Sequence, residues 1–173
     1  MITRFSSRRT RLDSRFLTAR LNGARRYDRI AGYFSSSIIE VAGEVLESVT
    51  GPVRMVCNSA LAAQDVLIAQ QAAQAAMRRE WCESVPENLP PGAGDRFHRL
   101  HSFLVRGKLK VRVLPDEQFG LIHGKAGVIA LADGGRTAFL GSVNESLSAW
   151  RLNYELLWED DASRPTPSPF RSL

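Results

Sequence analysis

The 173 residues, 44% hydrophobic and 24% charged, have the balance of a packed globular chain and exclude a disordered or fibrous one. The net charge of +5 is unevenly placed: residues 1–30 carry nine arginines against Asp13 and Asp28, a surplus that attracts polyanions, nucleic acid foremost. No apolar run reaches the roughly 18 residues that span a bilayer, and Cys57 and Cys82 form no CxxC pair, so a reducing, cytoplasmic setting is expected.

Residues 1–26 are expected to form a basic amino-terminal arm in which Arg8, Arg9, Arg11, Arg25 and Arg26 contact phosphates. The domain proper is expected over 27–160. Asp28–Phe34 reads as a short strand ending at three serines. Ile38, Val41, Ala42, Val45, Leu46 and Val49 then recur at helical spacing, which predicts an amphipathic helix over Ser36–Val49, stopped by Gly51 and Pro52. Val53–Cys57 follows as a second strand, completing the strand, helix, strand pattern of a parallel unit.

Leu61–Arg79, rich in alanine and glutamine, predicts a long helix. Val85–Asp95 holds Pro86, Pro90, Pro91, Gly92 and Gly94 and is expected to be a loop. Arg96–Arg106 reads as a helix and Leu109–Leu114 as a strand; their Arg96, Arg99, Lys108 and Lys110 are a second group of candidate nucleic-acid contacts. Leu121–Leu131, Thr137–Leu140 and Tyr154–Trp158 are strand-like, with Asp133, Gly134 and Gly135 turning the first into the second. Residues 161–173, with three prolines and three serines, read as a disordered tail. The pattern predicts a single α/β domain with a mixed, largely parallel β-sheet flanked by helices.

Chemistry concentrates in three short segments: His123-Gly124-Lys125, Gly141-Ser142-Val143-Asn144 and Asn153-Tyr154-Glu155. On the expected strand His123 and Lys125 share a face, because strand side chains alternate with a period of two. Gly141 would permit close backbone approach to a ligand, Ser142 and Asn144 supply donors, and Glu155 is a carboxylate able to orient an imidazole. Together they read as a phosphate cradle holding a nucleophile. His98 and His101 have no Cys, Asp or Glu beside them to complete a metal set, and no metal or other cofactor is expected.

HxK followed by GSxN resembles the HKD motif of the phospholipase D superfamily, in particular its short one-motif nuclease branch, where a downstream glutamate hydrogen-bonds the catalytic histidine. Glu155 stands in that place; Ala130 stands where the family usually has an aspartate. The resemblance implies a phospholipase-D-like fold and a metal-independent phosphodiesterase. His123 would attack phosphorus, Lys125 and Asn144 would stabilise the phosphoryl oxygens with help from Ser142, and Glu155 would fix the imidazole. The family uses a second histidine to protonate the leaving group, so one motif per chain implies a homodimer, the alternative supplier being a different partner that carries the motif. The implied substrate is nucleic acid, DNA before RNA, with no membrane involved. Tyr27–Asn58 is also similar to the amino-terminal phospholipase-D-like module of some large bacterial helicases, which implies a helicase or a defence system as partner. The alternatives are a catalytically idle nucleic-acid-binding module and, third, a lipid phosphodiesterase, which lacks a membrane-docking stretch here.

Overall fold

The computed structural model describes residues 1–58, 61–82, 94–114 and 123–161. Of the loop expected over 85–95, residues 85–93 lie outside them while Asp95 already begins a helix, and of the tail expected over 161–173 all but Asp161, which ends a strand, lies outside them. Seven strands, β1 (Ile2–Ser6), β2 (Arg26–Ile30), β3 (Val53–Asn58), β4 (Leu109–Leu114), β5 (Ala126–Ala130), β6 (Arg136–Gly141) and β7 (Leu156–Asp161), form one sheet in the order β1-β7-β6-β5-β2-β3-β4. The helices are α1 (Ala19–Leu21), α2 (Ile38–Ser48), α3 (Ala63–Cys82) and α4 (Asp95–Val105), with π-wound turns at Asp13–Thr18 and Ser148–Leu152.

The fold is a mixed α/β sheet as expected, but it is not largely parallel. Only β2-β3 and β3-β4 pair in parallel; the other four pairings are antiparallel. The connections explain this. α2 carries the chain from β2 to β3, and α3 and α4 carry it from β3 to β4, giving the crossovers that parallel pairing needs. β5 and β6 are joined by a tight hairpin, which permits only antiparallel pairing. Gly134 takes φ 95 in that turn, a conformation that favours glycine, and Asp133 Oδ1 accepts the Gly135 N–H at 2.8 Å.

Residues 1–26 are not an arm. β1 pairs with β7 from Ile2 opposite Asp160 to Ser6 opposite Leu156, and Leu12, Phe16, Leu17 and Leu21 are all buried. Those four apolar side chains fall on the inner side of the helical segment, with Arg15 between them exposed and Arg20 half-buried. Carboxylates tie the segment down. Glu159 on β7 takes Arg20 Nε at 2.5 Å and Nη2 at 2.9 Å, and Thr137 Oγ1 at 2.9 Å. Buried Asp13 takes Arg11 at 2.7 Å and Arg151 at 2.8 Å. Burial alone would raise the Asp13 carboxyl, but the hydrogen bonds from Arg11, Arg151 and the Ser14 N–H outweigh it and hold the group below its ordinary value.

The core lies on one face of the sheet. Tyr27, Met55, Cys57, Ile129, Phe139 and Leu157 alternate inward along their strands and pack with α2 and α4 residues such as Leu46, Leu100 and Phe103. Phe16 meets Phe139 edge-on with centroids 4.9 Å apart and stacks on Trp150 at 6.4 Å. Each such fully buried large side chain stabilises the fold by roughly 1.5–3 kcal/mol. The outward positions of the same strands, Ile30, Val128 and Leu140 among them, are exposed. Among the described residues no helix is long and apolar enough to cross a membrane.

Candidate active site

Strand register gathers the three chemistry-bearing segments at one end of the sheet. Ala126 lies opposite Leu140 and Gly141 opposite Leu157, so the residues entering β5, leaving β6 and entering β7 emerge side by side. β1 and β2 run out at the same end, where Ser6 lies opposite Leu156 and Ile30 opposite Ala126. Ligands of sheets with parallel strands commonly bind at such carboxyl ends.

His123 and Lys125 precede β5 rather than lying on it, because the strand begins at Ala126 instead of extending over Leu121–Leu131. His123 is exposed and, among the described residues, its ring has no hydrogen-bond partner. Lys125 is half-buried. Its carbonyl accepts the Gly141 N–H at 3.0 Å, and its ammonium folds back on the His123 carbonyl at 2.8 Å. Gly141 does not open the backbone to a ligand: a Cβ there would overlap the Leu156 carbonyl oxygen, so this glycine lets β7 approach β6.

Ser142 and Glu155 form a locked pair. The Ser142 N–H donates to the Leu156 carbonyl at 3.0 Å and its Oγ accepts the Leu156 N–H at 3.1 Å, while the hydroxyl donates in a short bond to Glu155 Oε2. Asn153 Nδ2 reaches Glu155 Oε1 at 3.5 Å. Ser7, just past β1, clasps the Glu155 backbone through its N–H at 3.1 Å and its Oγ at 2.9 Å. The carboxylate expected on His123 is thus engaged by Ser142 and Asn153. Asn144 Oδ1 accepts the Tyr33 N–H at 3.1 Å, which leaves the amide NH₂ as its donor.

Beneath this loop is a buried cluster that sequence reasoning missed. Glu145, directly after Asn144, takes Arg29 Nε at 2.5 Å and the Tyr27 hydroxyl at 3.0 Å, and Arg29 Nη2 donates to the Val143 carbonyl. Arg29 also lies 4.8 Å from the Phe139 ring centroid. Burial, reinforced by the charge of Glu145, pushes the Tyr27 hydroxyl well above its ordinary value, so it remains a donor. Glu145 N–H donates to the Tyr33 carbonyl at 3.1 Å and its carbonyl accepts the Ser35 N–H at 3.0 Å. A charged residue interrupting an apolar strand at Arg29 was the available signal; its partner, 116 positions away, was not readable.

The candidate nucleic-acid contacts do not form one surface. Arg8 and Arg9 lie at the site end, following β1, with Arg8 over the exposed Tyr154 ring at 4.8 Å. Arg11 is held by Asp13. Arg25 and Arg26 flank the opposite end of the sheet, Arg26 pairing with Asp28 at 2.7 Å. Arg96 pairs with Glu40 at 2.7 Å, and Arg99 packs on Phe103 in the helix layer. Lys108 is taken up by the Val49 and Glu47 carbonyls at the end of α2, and burial lowers its ammonium from the ordinary value. Lys110 points to the exposed side of β4.

Ala130 ends β5 far from His123, opposite Arg26 and Arg136, and Arg26 pairs with Asp28. Among the described residues no three His, Cys, Asp or Glu side chains stand close enough to share a metal ion. Cys57 is no rival nucleophile, since burial pushes its thiol up to about 11.

The family profile described as cardiolipin synthase, PLD-like domain, matches residues 17–166. No curated relative matches the sequence. A variant of yeast tyrosyl-DNA phosphodiesterase superposes with a TM-score of 0.53 at 11% identity, covering 96% of this chain and 34% of the other. NucT from Helicobacter pylori gives 0.49 at 18% identity over 94% of this chain and 86% of its own. Nuc from Salmonella typhimurium, a phospholipase D family member, gives 0.49 at 12% identity over 92% and 81%. The chain spans only 25% to 34% of the yeast phosphodiesterase structures, with which it shares a fold. Since the profile runs through every one of the candidate catalytic residues, from His123 to Glu155, the chain belongs to the phospholipase D superfamily.

Proposed function

We propose that this chain is a metal-independent phosphodiesterase that hydrolyses nucleic acid, DNA before RNA, through a phosphohistidine on His123, and that it works as a homodimer. The observation that carries the reading is the convergence of His123, Lys125, Asn144 and the Ser142–Glu155 pair at one end of the sheet. The imidazole attacks phosphorus and the bond to the leaving oxygen breaks. Lys125 and the Asn144 amide stabilise charge on the non-bridging oxygens, as preorganised donors do in phosphoryl transfer. The leaving alkoxide takes its proton from a second histidine, which then activates the water that frees His123. One chain supplies one such histidine, so the second comes from another copy. Two carboxylates at this end of the sheet are already engaged, Glu145 by Arg29 and Tyr27 and Glu155 by Ser142 and Asn153, which supports a reaction driven by the imidazole. A helicase or defence system remains the proposed wider partner.

The idle nucleic-acid-binding reading draws on one observation, that Glu155 meets Ser142 rather than His123. Acid quench with labelled single- and double-stranded DNA, RNA and a phospholipid, all in excess chelator, separates the readings. A trapped phosphohistidine on a nucleic acid is the expected result. Binding without any trapped intermediate or product would establish the idle module, and activity restored only by divalent metal would overturn the mechanism.

A further inference from the structure

The sheet face opposite the helices is bare among the described residues and forms a groove of about 780 Å³. Register sorts its outward side chains into two rows that cross the sheet. In the row nearer the site, Trp158, Leu140, Ala126, Ile30 and Val56 stand side by side on β7, β6, β5, β2 and β3; Arg4 and Arg112 close its ends on β1 and β4. The next row runs Asp160, Ala138, Val128, Asp28 and Arg54 along the same strands. Ile30, Val128 and Leu140 are 45%, 44% and 59% exposed. A contiguous apolar patch of this kind marks an interaction site.

We propose that a second copy of this chain packs on this face, sheet against sheet, about a two-fold axis running parallel to the strands over β5. The proposal deepens the homodimer reading and rests on it. β5 is the central strand of the seven, so this axis lays β6 of one copy over β2 of the other, β7 over β3 and β1 over β4. Leu140 of one copy then meets Ile30 of the other, Trp158 meets Val56, and Ala126 and Val128 each meet their own counterparts. In the second row the Asp160 carboxylate of one copy meets the Arg54 guanidinium of the other. Apolar groups face apolar groups along the first row. In the second the Asp160 and Arg54 contacts match in charge, while Asp28, which keeps its own Arg26 and Arg54 partners, lies over Ala138, so most positions have the self-complementarity an isologous interface requires. Like charges meet only at the solvated rim, where Arg4 comes over Arg112. An in-plane axis across the strands would send the two site ends to opposite edges of the sandwich. The axis along the strands puts both at the same end, with the packed sheets about 10 Å apart, so that two copies of His123 line one cleft.

Val128→Cys tests the geometry directly, because a residue on the axis meets itself. Mild oxidation of the full chain should give a covalent dimer with Val128→Cys and none with Val66→Cys, which is exposed on α3 on the helix-covered side. Leu140→Glu, at a position that takes no part in the core, should convert a sedimenting dimer to monomer and cut hydrolysis by at least roughly a hundredfold through loss of the second histidine's placement. A dimer that survives Leu140→Glu while Val128→Cys fails to cross-link would overturn this surface and leave the phosphodiesterase reading standing. A monomeric and fully active wild type would overturn both the surface and the shared site. A Val128→Cys cross-link in a dimer that never hydrolyses nucleic acid would uphold the surface and overturn the catalytic reading alone.

Discussion

The two sides of the candidate site are held very differently. On the β6 side the chain from Ser142 to Glu145 is fixed by many hydrogen bonds, to Leu156, Glu155, Tyr33, Ser35 and the buried Arg29–Tyr27 pair. On the β5 side, among the described residues, the chain from His123 to Lys125 has one hydrogen bond to a neighbouring strand, from Gly141 to the Lys125 carbonyl, and the imidazole is exposed. The Asn144 amide, the donor on the β6 side that would hold a phosphate, is therefore preorganised within one chain, where electrostatic stabilisation needs it. The proposed nucleophile, His123, is left for substrate or a second copy to orient. Activity and stability should separate along this line.

His123→Ala should break the comparison hardest on the chemical side: turnover falls by roughly 10⁴-fold or more while the thermal midpoint stays put, because the exposed ring supports nothing in the fold. A single-turnover assay paired with a melting curve checks this, and a substantial drop in midpoint would show that the β5 side is better braced than its contacts imply. Arg29→Ala should do the reverse. Stranding Glu145 as an uncompensated buried charge costs about 3–5 kcal/mol, readable in urea unfolding, with activity lost as the Asn144 loop relaxes. Replacing Arg29 by Met and Glu145 by Leu together should regain most of that stability without restoring activity, which sharpens the distinction between holding the fold and holding the loop. The smallest effect belongs to Asp13→Asn, at about 1–2 kcal/mol, since its arginine partners are partly solvated. The folded Asp13 carboxyl is held below its ordinary value, so its contribution is fully present above the ordinary carboxyl range and lost as pH falls through the folded value. The variant's deficit should therefore shrink toward acid; a deficit constant with pH would assign the loss to packing.

Much of this was legible locally. β4 fell on Leu109–Leu114 and α2 within Ser36–Val49, because period-two and helical spacings leave little choice of face. Composition misled at the amino terminus, where arginines obscured the apolar spacing of Leu12, Phe16, Leu17 and Leu21, and where an edge strand's identity depends on a partner 158 residues along, as in Ile2 opposite Asp160. The same limit applied at the site. The segments carrying His123, Ser142 and Glu155 could be picked out by residue type, and the sheet does bring them to one end. That the Ser142 hydroxyl engages Glu155, and that Gly141 makes room for β7 rather than for a ligand, are consequences of register. A single pairing shift would change them, so no local pattern encodes them.

The pairing of β1 with β7 also orders events in time. β1 is synthesised first, yet its hydrogen-bonding partner is the last strand of the sheet to leave the ribosome. Until β7 arrives, Ile2–Ser6 has no ladder to join, and Glu155 lacks the clasp from Ser7. Such non-local closure slows folding, because loop entropy must be overcome before the contacts form. The site is accordingly among the last parts of the molecule to be completed, and a chain interrupted before β7 carries His123 without the ladder that positions Glu155.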